Sequence, residues 1–293
     1  VNFTGSCPTV TPPPPPPATG WALFVGISDY VVNTFEADGT RYRVDDLTAP
    51  AGDARAMAEA LKALFPNQRI LTDSAATYDA IKRGFTEWLS QAPADATVLF
   101  YFSGHGGQVR DKEPDRDEAD GRDETLITTD GKMILDDEIH KWVEGLRALR
   151  VVIISDSCHS GTIHRGARTF LIAESRLLPP PLVDGFAEDF WKPGQRAPSK
   201  VVALSACRAD EVAWESRLFG HGIFTYCLLQ GLKGGADKDG DKIITAQELF
   251  DYAKGCVAQA VAQLPVLPDG TKPNQTPQLH DGLGQPVPLT KVK

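Results

Sequence analysis

The sequence predicts an α/β fold with a mostly parallel central sheet, and three observations predict it. Two short apolar runs, Thr97-Val98-Leu99-Phe100-Tyr101-Phe102 and Arg150-Val151-Val152-Ile153-Ile154-Ser155, are nearly continuous and rich in β-branched or aromatic residues. Strands buried on both faces of a parallel sheet read this way. Strand-like runs alternate with stretches of helical period, the chain order of a sheet with crossover helices. Both runs end in polar turns, Ser103-Gly104-His105-Gly106-Gly107 and Asp156-Ser157-Cys158-His159-Ser160-Gly161. Open α/β sheets build their sites outside the carboxyl ends of strands.

Each element has its own signal. Residues 1–20 carry the prolines Pro12 to Pro17, an extended spacer with no means of making a core. Asn2-Phe3-Thr4 in this extension matches a glycosylation sequon. Trp21 to Ile27 is a first buried strand. Asp53 to Phe65 places Ala54, Met57, Ala58, Leu61 and Leu64 at helical spacing, with Asp53 as N-cap. Arg69 to Thr72 is a short strand. Thr77 to Ala92 is a helix with Ile81, Phe85, Trp88 and Leu89 on one face. The strand ending at His105 follows, then a polar, acidic loop over 108–124 and an extended piece at Leu126 to Thr128. Asp136 to Leu149 is a helix that turns Ile139, Trp142, Val143 and Leu146 inward, and the strand ending at Cys158 comes next. Residues 162–199, with Pro179 to Pro181 and several Arg and Lys, read as a long mobile loop. Lys200 to Ser205 is a strand, Gly222 to Leu232 and Glu248 to Leu264 are helices, and the tail from Pro265 is rich in Pro and Gly.

Composition narrows the function classes. A formal net charge of −9 argues against a general binder of nucleic-acid backbone. No apolar run approaches the roughly 18 residues of a membrane span. The chain begins at Val1 with no charged-then-apolar leader, as a processed or excised chain would. Its cysteines are Cys7, Cys158, Cys207, Cys227 and Cys256, and no CxxC occurs, which removes zinc-ribbon and thioredoxin readings. Their odd count and wide spacing do not suggest a disulfide scaffold. Cys207, Cys227 and Cys256 read as buried inert thiols, and unpaired thiols favour a cytoplasmic protein.

The chemistry concentrates on Cys158 and His105. A thiol becomes a useful nucleophile when a neighbouring base favours the thiolate, and His105 is the candidate base. Gly104, Gly106 and Gly107 let backbone N–H groups approach an anionic intermediate. A thiol phosphatase would need Arg six residues after the cysteine, where His164 stands. A metal site of Cys158, His159 and His164 would rest on spacing alone.

Ser103-Gly104-His105-Gly106 together with Asp156-Ser157-Cys158-His159-Ser160-Gly161 resembles the metacaspase family, the caspase-like cysteine peptidases of clan CD, in its prokaryotic or orthocaspase form. The resemblance spans about residues 21–255. It implies a caspase-hemoglobinase-like three-layer α/β/α sandwich over 21–293, large-subunit-like over 21–165 and small-subunit-like over 200–293. It implies Cys158 as nucleophile, His105 as acid and base, and the N–H groups of Gly106 and Cys158 as oxyanion hole. Asp53, Ser103 and Asp156 would line a specificity pocket for Arg or Lys, as two carboxylates in a cleft favour a cation. Trp214 is a candidate wall of a neighbouring subsite or a core residue.

No cofactor is expected for the chemistry itself. The family's calcium-binding carboxylates would fall at Asp120, Asp136 and Asp137, but its fourth position is Arg165, which opposes calcium. Separately, Asp237, Asp239, Asp241 and Glu248 follow EF-hand loop spacing. The glycine expected at the sixth position is Lys242, whose side chain would resist the sharp turn. Arg165, Arg168, Arg176, Lys192 and Arg196 make 162–199 a candidate self-cleavage segment. The expected partners are protein or peptide substrates with Arg or Lys at the cleavage site, with no nucleic acid, and the chain is expected to be a monomer. The rival readings are a non-catalytic caspase-like scaffold, a caspase with Asp preference, and a legumain- or gingipain-like relative.

Overall fold

The computed structural model describes residues 19–110, 122–157, 200–208, 211–216, 218–266, 270 and 272–292. The chain runs β1 (Gly20–Gly26), β2 (Thr34–Ala37), β3 (Thr40–Arg43), α1 (Pro50–Leu61), β4 (Asn67–Thr72) and α2 (Tyr78–Arg83). Next come β5 (Thr97–Ser103), β6 (Gly106–Arg110), β7 (Arg122–Ile127), β8 (Met133–Leu135), α3 (Asp136–Glu144) and β9 (Arg150–Asp156). The last part holds β10 (Val201–Ser205), β11 (Glu215–Ser216), β12 (His221–Gly222), α4 (Ile223–Gln230), β13 (Ile243–Thr245), α5 (Ala246–Val261), β14 (Gln278–Asp281) and β15 (Pro288–Lys291).

The central sheet has the order β14-β10-β9-β5-β1-β4. Its five inner pairings include one antiparallel pair, β10 with β14; the others are parallel. Alternation along the strands explains the continuous apolar runs. Leu99 and Tyr101 of β5 and Val152 and Ile154 of β9 face one core, with Met57 and Leu61 of α1, Phe224 and Leu228 of α4, and Leu249 of α5. Val98, Phe100 and Phe102, with Val151 and Ile153, face the other, with Ile81, Phe85 and Ile139. Successive side chains point to opposite faces, so a strand between two helical layers must be apolar throughout. The three-layer α/β/α sandwich is therefore present. Each fully buried large side chain contributes roughly 1.5–3 kcal/mol to it.

One close approach positions the site. A Cβ on Gly26 would stand 2.2 Å from the carbonyl oxygen of Pro50 and 2.8 Å from Ala54 Cβ. Glycine at the end of β1 thus lets the first turn of α1 lie directly over the carboxyl edge of the sheet.

Several elements differ from their sequence reading. α1 starts at Pro50, with Ala49 as N-cap, because proline's preset φ suits the first helical position. Asp53 is therefore a buried residue of the first turn and not the cap. The helix expected over Thr77–Ala92 breaks into α2, a π turn over Gly84–Trp88 and a 3-10 turn over Leu89–Gln91. The ends of the expected 108–124 loop are paired strands, β6 with β7. The tail contributes β14 and β15. Cys227 and Cys256 are joined in a disulfide between α4 and α5, with Cα atoms 5.7 Å apart. They are not inert thiols, so the thiol argument for the cytoplasm fails at these two positions. Cys207 is buried, and its Sγ lies 3.6 Å from the Ser157 carbonyl and 3.7 Å from the Glu211 carbonyl. The Pro-rich segment 1–18, Asp120, Cys158 and the whole 162–199 segment lie outside the described residues.

Candidate active site

β5 and β9 are adjacent and parallel, with Ser103 opposite Asp156 at their last residues. His105 follows the first strand by two residues and Cys158 follows the second by two. Neighbouring strands lie about 4.8 Å apart, so this register starts both motifs side by side. Cys158 itself is outside the described residues, and the site is built here from its neighbours.

His105 is buried, and its orientation is fixed on three sides. Its backbone N–H donates to the Tyr30 hydroxyl at 2.8 Å, and the two rings lie 5.1 Å apart. Its Nε2 is 2.8 Å from the Asp45 carbonyl, an acceptor only, so Nε2 carries the proton. In the neutral ring the lone pair is then on Nδ1, the nitrogen able to exchange a proton. Gly104 is closely packed: a Cβ there would stand 3.0 Å from the Tyr30 hydroxyl, which would have to shift by a few tenths of an ångström. Gly106 opens β6 opposite Leu126 and is buried.

Asp53 and Asp156, the two carboxylates expected to line a specificity pocket, are both fully buried. Asp53 accepts from Ser103 Oγ at 3.1 Å, from Gly222 N–H at 3.2 Å and from His221 Nδ1 at 2.7 Å. Asp156 Oδ2 accepts from the backbone N–H of Thr225 at 3.1 Å and from its hydroxyl. The Thr225 hydroxyl has one hydrogen, given to Asp156, so Tyr101, 2.6 Å away, must be the donor to it. Thr225 is the third residue of α4, where the N–H has no intrahelical partner. Asp156 serves as that missing acceptor, and its charge suits the positive end of the helix. The start of α4 is thus tied to the carboxylate that ends β9 and to the one in the first turn of α1.

With this geometry in place, comparison with known proteins is informative. The caspase domain family model matches residues 19–285. The chain belongs to this family. The caspase domain here is 35% identical to Metacaspase-1 of Pyricularia oryzae over 156 residues, which are 48% of this chain and 36% of that protein. It is 41% identical to Metacaspase-1 of Schizosaccharomyces pombe over 101 residues, 32% of this chain and 22% of that protein. The chain therefore spans about a third or less of the curated relatives it matches. The solved structure of protein GSU0716 from Geobacter sulfurreducens shares the fold, with a TM-score of 0.60 at 23% identity, covering 94% of this chain and 100% of that one.

The caspase domain carries site residues that sequence reasoning missed. Tyr30, Thr225 and His221 are far from the motifs in sequence, and Asp45 acts through its carbonyl, which no residue type reveals. His221 and Thr225 sit in Gly220-His221-Gly222-Ile223-Phe224-Thr225, where a histidine between glycines was the available signal. Trp214 falls on the core side of its two readings: it is buried, and its ring N–H donates to the Asn274 carbonyl at 3.1 Å. A broad cleft of about 970 Å³ is lined by Phe35, Tyr78, Lys132 and Met133 among others, and by none of the motif residues.

The metal candidates separate. Asp136 and Asp137 open α3, where Asp136 is buried and Asp137 pairs with Lys141 at 3.2 Å. Among the described residues they join no group of three metal-capable side chains. Asp237, Asp239 and Glu248 do form one, with oxygens within 4.8 Å of each other. Asp241 is not in it; its Oδ1 accepts from Ile243 N–H at 2.7 Å. Lys242 makes the sharp turn expected to resist it, with φ of 67°. Its carbonyl accepts from Val292 N–H at 2.8 Å, so the pairing of β13 with β15 holds the strained residue in place.

Proposed function

We propose that this caspase domain is a cysteine endopeptidase that cleaves after Arg or Lys. The observation carrying this reading is the register that starts the His105 and Cys158 motifs on adjacent strand ends, beside two buried carboxylates. The Cys158 sulfur attacks the scissile carbonyl and forms a thioester. His105 Nδ1 takes the thiol proton and delivers it to the leaving amine, and water then hydrolyses the thioester. The N–H groups of Gly106 and Cys158 receive the developing oxyanion. Asp53 and Asp156, with Ser103, receive the substrate cation. The test uses fluorogenic peptides ending in Arg, Lys or Asp, with Cys158→Ala as control. Turnover of the Arg and Lys peptides alone, absent in the variant, is expected; equal inactivity of both proteins would favour a scaffold.

A second reading draws on the burial of the carboxylates. Their hydrogen bonds to Gly222 and Thr225 suit anchors for the start of α4, with P1 selection made elsewhere. Asp156→Asn separates the two. A lost preference for Arg supports the pocket; an unchanged preference in a less stable protein supports the anchor.

Calcium and self-processing belong to the same proposal. The donor set of Asp237, Asp239 and Glu248 fits a hard cation, which takes several carboxylate oxygens. These residues would hold calcium and brace the turn before α5, away from the chemistry. Cleavage within 162–199 at Arg165, Arg168, Arg176, Lys192 or Arg196 would give two bands on a denaturing gel, and one band for Cys158→Ala.

A further inference from the structure

We infer that His221 is a specificity-determining residue: its imidazole covers the Asp53 carboxylate and is exchanged for the substrate's cationic side chain. The inference rests on the reading of Asp53 as part of the cation pocket. Asp53 has no exposed surface, whereas the His221 ring bonded to its Oδ1 is 27% exposed. The donors on Oδ2 are buried or part of the backbone. One is the hydroxyl of buried Ser103 on β5, and the other is the backbone N–H of Gly222. The imidazole is different. It is held by one hydrogen bond at 2.7 Å, turns about two side-chain torsions and reaches solvent. It lies between Asp53 Oδ1 and solvent, on a route by which a guanidinium or ammonium group can reach this carboxylate.

The backbone carrying His221 does not depend on that ring. His221 stands opposite Ser216 in the β11–β12 hairpin. Glu215 of the same hairpin accepts from Thr48 N–H at 3.2 Å, Thr48 Oγ1 at 2.8 Å and Ala49 N–H at 3.2 Å, just before α1. Together with the Gly222 bond, these contacts clip the hairpin to the first turn of α1. The imidazole is therefore able to act as a stand-in hydrogen-bond donor, occupying Asp53 when no substrate is bound. Ser103 and Gly222 serve Oδ2, and the imidazole serves Oδ1, which lowers the cost of burying that oxygen in the empty pocket.

Removing the ring removes the competitor, so the sign of the KM change separates exchange from support. Peptides identical except for P1 Arg or P1 citrulline, its neutral counterpart, are hydrolysed by wild type, His221→Ala and His221→Asn. Exchange predicts that His221→Ala lowers KM for the Arg peptide about tenfold while kcat stays within about twofold. It predicts an unchanged KM for the citrulline peptide. It also predicts that His221→Asn, whose amide N–H reaches the place of Nδ1, returns KM toward wild type. A KM for Arg that is unchanged or raised in His221→Ala overturns the inference and leaves the pocket reading standing. Wild type with no preference for Arg over citrulline overturns the pocket reading and the inference with it. Should His221→Ala not fold, the Cys158→Ala protein gives a second readout. Saturation with Nα-acetyl-arginine amide must remove the hydrogen-bonded Nδ1–H signal of His221 in the nuclear magnetic resonance spectrum. Survival of that signal in the saturated protein overturns the inference, and no binding at all overturns the pocket reading.

Discussion

Tyr30 and Thr225 decide how well the motif residues are aimed. Tyr30→Phe removes the acceptor of the buried His105 N–H, and an unmet buried donor costs about 1–3 kcal/mol. The expected result is that loss in denaturant unfolding together with a lower kcat, since the backbone carrying the imidazole loses an anchor. Thr225→Val removes a donor and an acceptor at one place: Asp156 loses a hydroxyl and Tyr101 loses its acceptor. It should destabilise by about 1–3 kcal/mol and raise KM for Arg peptides more than it lowers kcat. At this scale the sequence was legible where a residue type is itself the signal. Cys158 and His105 could be named because a thiol and an imidazole have few other uses in such turns, whereas Asp53, Ser103 and Asp156 were named from the resemblance of their surrounding motifs. Tyr30, Thr225 and His221 act on them across long stretches of chain, and the Asp45 carbonyl belongs to every residue alike, so neither left a local signature.

Elements were legible where one periodicity ruled. The strands β5 and β9 read correctly because burial on both faces suppresses every polar position. The stretch Thr77–Ala92 has one apolar face, yet Gly84 lies where a Cβ would be 2.5 Å from Leu23. The helix widens there into a π turn so that it can pack against β1. The disulfide between α4 and α5 was not legible, since pairing depends on which helices pack together and not on spacing. It closes a loop with a sequence separation of 29, so Cys227→Ala with Cys256→Ala should lower stability by about 3–4 kcal/mol in equilibrium unfolding. A double variant as stable as wild type would contradict the bond. On β14, burial pushes the His280 pKa below its ordinary value, with the Asp281 charge opposing. A depressed histidine stabilises the fold above its unfolded pKa of about 6.5, and that contribution is lost as pH falls through the folded pKa. His280→Gln should therefore flatten the acidic limb of a stability-against-pH curve, and an unaltered limb would assign it to other groups.

At the scale of the whole molecule, the topology explains why one edge of the sheet holds the chemistry. Parallel strands deliver all their carboxyl ends to the same side, and the close approach at Gly26 brings the first turn of α1 to that side as well. The antiparallel β14 covers β10, leaving β4 as the other edge, where Arg69 lies over the Trp88 ring at 5.2 Å. The fold class was legible because it follows from alternation of apolar runs, whereas the side sheet of β6, β7 and β8 was hidden by the acidic composition of its connecting segment. The central claim is that Cys158 is a nucleophile served by a cation-selecting pocket. Intact and peptide mass spectrometry after treatment with an arginyl chloromethyl ketone tests it most directly. One adduct per chain is predicted, on the peptide containing Cys158, absent in Cys158→Ala and much slower in Asp156→Asn. An adduct on Cys207 or Cys7 instead, or equal labelling by the corresponding aspartyl reagent, would contradict it.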